Sequence, residues 1–124
     1  MSDPVRRHIL LIEDDLAVAN IYSTVLRAEG HNVTVCNSYE AARAELRNAV
    51  PDALLTDVRL GEYNGLGAAI LFRSLSPDGI IVAVSGHDDP VIRREVVNLN
   101  ADFFVKPVSL DFLRSRFSAA RQDH

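Results

Sequence analysis

The chain has 124 residues, 48% of them apolar, with a formal net charge of −4 at pH 7 and one cysteine. That length suits a single domain around one core, the mild acidity argues against direct nucleic-acid binding, and the lone Cys36 excludes an internal disulfide. No apolar run nears the ~20 residues of a membrane span, and Met1–Arg7 lacks the apolar stretch of an export signal, so the expected location is cytoplasmic, without membrane contact.

In chain order, His8–Ile12 reads as a buried strand ending at Glu13-Asp14-Asp15. A helix follows, with Leu16, Ala19, Ile21, Val25 and Leu26 near helical spacing, and Gly30 stops it as a residue free to take positive φ. The second strand covers Asn32–Cys36, and Cys36 is expected to be buried and inert. Ser38 is a good N-cap for a helix reaching about Val50, with Ala42, Leu46 and Ala49 inward, before Pro51. Ala53–Thr56 is the third strand, closed by Asp57, and residues 58–65 read as a loop. A helix over residues 66–75 precedes the turn at Pro77-Asp78-Gly79, and Ile80–Val84 forms a fourth strand ending at Ser85-Gly86. A helix from Asp89 or Pro90 to Leu99, a fifth strand over Asp102–Val105, Lys106-Pro107, and a Ser109-capped helix to about Ala120 complete the chain.

Three of these strands are almost wholly apolar rather than alternating, which marks a parallel sheet covered on both faces. The order βαβαβαβαβα predicts an open, doubly wound α/β fold with right-handed crossovers. There is no repeat, low-complexity segment or internal linker, so one domain over 1–124, with its core at about 8–120, is expected. The pairs Arg6-Arg7, Arg93-Arg94 and Arg114/Arg116 read as solvated charges on a tail or helix face.

In such a sheet, ligands sit outside the carboxyl ends of the strands. Those ends carry Glu13, Asp14 and Asp15, then Asp57, then Ser85, then Lys106. Singly, each acid or hydroxyl reads as a helix cap, and Asp15 is best assigned to capping. Asp14, Asp57 and Lys106 together are harder to explain that way. Two carboxylates ~5 Å apart repel by ~3 kcal/mol at an effective dielectric of ~20. Lys106 offsets part of that, and a hard divalent cation with oxygen ligands, Mg²⁺ above all, offsets more.

Four motifs carry a resemblance: Leu11-Ile-Glu13-Asp14-Asp15; Leu54-Leu-Thr-Asp57-Val-Arg-Leu60 with Gly65; Val82-Ala-Val-Ser85-Gly86; and Phe103-Phe-Val-Lys106-Pro107. In this order and strand context the chain resembles response-regulator receiver domains, of the chemotaxis-regulator-like kind, from about His8 to Ala120. The resemblance implies a flavodoxin-like (βα)5 sheet of order 2-1-3-4-5. It makes Asp57 the phosphoacceptor, served by a sensor histidine kinase or phosphotransfer protein. It implies Mg²⁺ (or Mn²⁺) held by Asp14, by Glu13 through water, by Asp57 and by the backbone carbonyl of Arg59. Lys106 would pair with phosphoryl oxygens, and Ser85 would move to the phosphate as Phe103 turns inward. Lys106-Pro107 is a candidate cis peptide.

Some positions depart from the family pattern. Gly61 stands where proline is common, which loosens the loop. Asn100 replaces a glycine, and asparagine tolerates positive φ. Phe103 lacks a tyrosine hydroxyl, so packing must govern its turn. Arg59 and His87 match rim positions of the phosphate pocket and are expected to tune the aspartyl-phosphate lifetime. The family's signalling face is the fourth helix, fifth strand and fifth helix; here Val91, Val96, Val97, Phe104 and Arg93-Arg94 would shape it for a protein target or for homodimerisation. A fused output domain is an equal route.

Three other functions compete with this one. A haloacid-dehalogenase-like phosphatase would want a second aspartate two residues beyond the nucleophile, where Arg59 stands, and a flavodoxin would want a phosphate loop where Glu13-Asp14-Asp15 repels phosphate. A degenerate receiver could serve as a phosphorylation-independent binding module, against which stand the acceptor, acids, hydroxyl and lysine, all present. No metabolite-converting activity is expected; the domain would catalyse only its own phosphorylation and dephosphorylation.

Overall fold

A computed structural model describes residues 5–60 and 63–119 of the chain. The elements are β1 (His8–Ile12), α1 (Leu16–Ala28), β2 (Asn32–Cys36), α2 (Tyr39–Asn48), β3 (Ala53–Asp57), β4 (Arg59–Leu60), β5 (Tyr63–Asn64), α3 (Leu66–Leu75), β6 (Ile80–Ser85), α4 (Pro90–Asn98), β7 (Asp102–Val105) and α5 (Leu110–Ser118). Five strands form one parallel sheet in the order β2-β1-β3-β6-β7. This is the doubly wound 2-1-3-4-5 arrangement expected, counting these five strands alone.

Strand alternation builds the two covered faces. Ile9, Leu11, Ala53, Leu55, Val82 and Val84 share a cluster with Ala19, Tyr22 and Leu26 of α1 and Leu113 and Phe117 of α5. The intervening residues Leu10, Ile12, Leu54 and Ile81 pack with Ala42 and Leu46 of α2 and Ala68, Ala69 and Phe72 of α3. Each fully buried Leu, Ile or Phe contributes about 1.5–3 kcal/mol, so burial on both faces fixes this layering. The caps at Asp15, Ser38 and Ser109 are those the sequence indicates, accepting from the Ala17 and Val18, Ala41 and Phe112 N–H groups; Asp89, read as a first helical residue, instead caps α4 by accepting from Val91.

Several expectations need correction. α2 ends at Asn48, and Ala49 is an exposed C-cap rather than an inward residue. In α1, Leu16 (75% exposed) and Ile21 face outward, while Tyr22 and Ser23 face in, because the helix seats on α5 and the sheet through that stripe. The segment after Asp57 contains the short antiparallel pair β4–β5 rather than an irregular loop. Helix α5 stops at Ser118, short of Ala120. Val96 is buried against Phe103 and does not face a partner, whereas Val91 and Val97 do lie exposed. Ala120 and Gly61 lie outside the described residues. Asn100 takes φ 57° and Gly30 φ 94°, and the Lys106-Pro107 bond is cis. Cys36 is buried, and burial raises its thiol pKa.

Arg7 is not a solvated tail charge. Its guanidinium donates to the carbonyls of Phe117 and Ala119 at the end of α5, and its backbone N–H donates to His31 Nδ1 at 3.0 Å. His31 Nε2 faces Ser118 Oγ at 3.1 Å. Because Nδ1 accepts, the buried ring is held neutral; burial first, and the Arg7 charge second, lower its pKa from 6.5. The unfolded chain therefore binds the extra proton more readily. The stability His31 provides is complete above about pH 6.5 and is lost as pH falls from there through its lowered native value. The melting temperature should drop between pH 7.5 and pH 5.5, and the drop should be shallower in His31→Asn, whose amide can still accept from Arg7; parallel pH profiles would refute the assignment.

Candidate functional site

The parallel register assembles the polar cluster. Ile12 pairs with Thr56, so the next residues, Glu13 and Asp57, leave β1 and β3 side by side. Asp57 pairs with Val84, which brings Ser85 to the neighbouring strand end. Ser85 pairs with Val105, and the Lys106 N–H donates to the Ser85 carbonyl, so Lys106 closes the row. The chain leaves β1 for β2 on one side and returns to β3 on the other, so this cluster stands at the point where strand order reverses, where α/β sheets bind ligands.

Lys106 Nζ lies 2.7 Å from Asp57 Oδ2 and 2.8 Å from Glu13 Oε1. The other Asp57 oxygen, Oδ1, accepts from the Arg59 backbone N–H at 2.9 Å. The Asp57 carboxylate is thus fixed at both oxygens. Glu13 is only 1% exposed, and burial pushes its carboxyl up to about 7, assisted by neighbouring Asp57 and opposed by Lys106. Partial burial alone would lower the Lys106 pKa, but its bonds to Asp57 and Glu13 outweigh that and hold the ammonium well above the ordinary lysine value.

Glu13, Asp14 and Asp57 form a candidate ion site: each offers an oxygen, and these lie within 4.8 Å of one another. An all-carboxyl set suits a hard, oxygen-seeking cation, and the three acids outnumber the single ammonium among them. Asp15, as expected, serves as the α1 cap.

Ser85 is buried, and its Oγ accepts from the His87 N–H at 3.2 Å. Phe103 lies on β7 beside Ala83, 8% exposed, in a small cluster with Val58, Leu66 and Val96. Arg59, at the start of β4, and His87, in the loop after β6, are exposed beside Asp57 and Ser85. Gly65 was read only as part of a motif; a Cβ there would stand 1.9 Å from the Asp57 carbonyl oxygen. Sequence reasoning also missed that Lys106 grips Glu13 as well as Asp57, which the register of β1 against β3 decides.

An open parallel sheet with three acids and a lysine at its switch point defines a receiver-type module. Residues 9–118 match the model of the response regulator receiver domain, and the chain belongs to that family. It is 35% identical over 115 residues to the alginate biosynthesis transcriptional regulatory protein AlgB of Pseudomonas aeruginosa, covering 92% of this chain and 25% of that protein. It is 28% identical over 113 residues to the transcriptional regulatory protein ZraR of Escherichia coli, covering 90% and 26%. The chain therefore spans about a quarter of the length of these relatives. Among solved structures, a CheY-like receiver domain protein from Methanospirillum hungatei shares the fold with a TM-score of 0.80 at 24% identity, covering 88% of each chain. A Burkholderia pseudomallei response regulator with a phosphorylated aspartic acid and a calcium ion superposes with a TM-score of 0.82 at 19% identity, covering 91% of this chain and 67% of that one. No helix among the described residues is long and apolar enough to cross a membrane.

Proposed function

We propose that this receiver takes a phosphoryl group onto Asp57 from a phosphohistidine of a sensor kinase or phosphotransfer protein in the cytoplasm, and then changes its contacts with a protein target or attached output domain. The observation that carries this reading is the Lys106 ammonium bridging Asp57 and Glu13, with Asp14 completing the acidic cluster. Mg²⁺, or Mn²⁺, would be held by Asp14, Glu13, Asp57 and the Arg59 carbonyl, and when bound it supplies positive charge to the phosphoryl oxygens. A carboxylate oxygen of Asp57 forms the new bond to phosphorus as the donor's P–N bond breaks and its electron pair returns to the imidazole. Lys106 holds Asp57 for that attack and then pairs with the charge that arrives. The product carries more negative charge and more acceptors than the carboxylate did. That offers the Ser85 hydroxyl, which now accepts from the His87 N–H, a strong acceptor for its own proton, a differential contact able to bias a two-state element.

The test is incubation with acetyl phosphate, with and without Mg²⁺, followed by intact mass. One added phosphoryl group that requires Mg²⁺ and is absent in Asp57→Ala is expected; phosphate on a serine, or uptake without a divalent ion, would contradict the assignment. Arg59 and His87, exposed at the rim, are assigned to admitting or blocking water at the acyl phosphate. Arg59→Ala and His87→Ala should each change the dephosphorylation rate by about two- to tenfold, corresponding to at most ~1.4 kcal/mol of barrier; decay at the wild-type rate in both would remove that role. The exposed Val91 and Val97 of α4, with Val105 of β7, are the apolar residues this reading assigns to target contact or homodimerisation.

A further inference from the structure

The Arg93 guanidinium on α4 does not project freely into solvent. Its central carbon lies 4.9 Å from the centre of the Phe103 ring. Its Nε and Nη2 both donate to one oxygen of Asp88, at 3.1 and 2.9 Å. Asp88 belongs to the loop between β6 and α4, directly after His87, whose N–H holds the Ser85 hydroxyl. One side chain therefore joins the loop that engages Ser85 to the aromatic ring on β7. The two halves of the expected switch also stand in different positions: Phe103 is already buried among Val58, Leu66, Ala83 and Val96, while Ser85 is still engaged by its own loop.

We propose that Arg93 is a positioning residue that holds Phe103 in its buried position before any phosphoryl group arrives, and that Asp88 orients Arg93 for this task. The proposal rests on the receiver reading given above. A planar cation over an aromatic face is attracted by the ring's quadrupole, and guanidinium stacks where ammonium cannot. An unrestrained arginine would give up much of that attraction to side-chain entropy. Asp88 offsets this by holding Nε and Nη2 of the guanidinium in place while its central carbon stays over the ring. For Phe103 to swing out, Arg93 must be displaced and the apolar pocket around Val58 and Leu66 opened. Because Phe103 lacks a hydroxyl, no polar tip draws it outward. Binding and conformation are reciprocally linked, so a contact that favours the buried ring also favours the phosphorylated state if that state needs the ring inside.

The experiment compares wild type, Arg93→Ala, Arg93→Lys and Asp88→Ala. It reads the Phe103 aromatic ¹H–¹³C resonances in phenylalanine-labelled, unphosphorylated protein, and separately the rate of phosphorylation by acetyl phosphate with Mg²⁺. Arg93→Ala should move the Phe103 resonances away from their wild-type positions and slow phosphorylation about two- to fivefold, the population shift a cation–π contact at an exposed site supports. Asp88→Ala should fall between it and wild type, and Arg93→Lys should recover part of the ring position. Wild-type Phe103 resonances in Arg93→Ala would overturn the proposal whatever the rate does. If wild type takes up no phosphoryl group, the receiver reading fails on its own, and the resonance comparison still decides whether Arg93 positions the ring.

Discussion

Lys106→Ala is expected to lower stability by about 2–4 kcal/mol in divalent-free buffer and to slow phosphoryl uptake at least a hundredfold. Charges near 3 Å attract by about 6 kcal/mol at an effective dielectric of ~20, and carboxylates near 5 Å repel by about 3. Removing the ammonium deletes two contacts of the first kind, to Asp57 and Glu13, and leaves the repulsions among Glu13, Asp14 and Asp57 unopposed. Breaking a buried ion pair by removing one partner costs about 3–5 kcal/mol. The cost here is lower because Lys106 is partly solvated and because Glu13, already raised to about 7, relieves the strain by binding a proton. Asp57→Asn should lose uptake without the loss of stability. It removes one attraction and two repulsions of comparable total size, so stability should stay within about 1 kcal/mol of wild type while phosphoryl uptake ends. Denaturant midpoints with and without Mg²⁺, alongside intact mass, separate the two. Mg²⁺ should restore part of the stability lost in Lys106→Ala, and an unchanged midpoint in that variant would refute this account of the cluster.

Gly65→Ala should destabilise the chain by about 3 kcal/mol or more, with loss of phosphoryl uptake in whatever remains folded. The added Cβ would lie 1.9 Å from the Asp57 carbonyl oxygen and about as close as 3.0 Å to its carbon. Ordinary overpacking costs about 1–3 kcal/mol because side chains can move aside. Here the obstacle is backbone, held in the ladder by the bond from Val58 N–H to the Val84 carbonyl, and Gly65 itself donates to the Val58 carbonyl. Relief must come by shifting α3 or Asp57, so the damage falls on the proposed acceptor. Gly86→Ala is the matched control, since a Cβ there meets nothing within 4 Å. Equal melting temperatures for the two variants would sink the argument.

The sequence by itself determined the element order, the parallel sheet and the set of polar strand ends. Apolar runs, caps at Asp15, Ser38 and Ser109, and breakers such as Gly30 and Pro51 act within a few residues and are legible in one dimension. The receiver motifs likewise single out Glu13, Asp14, Asp57, Ser85, Phe103 and Lys106. Only tertiary structure decided which partners these residues take. Lys106 reaches Glu13 across 93 positions of sequence, and Arg7 reaches Phe117 across 110. Arg7 reads as a solvated charge because the carbonyls that engage it lie on a distant segment. Leu16 and Val96 were misplaced for a related reason. Helical spacing defines an apolar stripe, but which edge of it is buried depends on where neighbouring helices seat on the sheet, and that follows from packing across the whole fold.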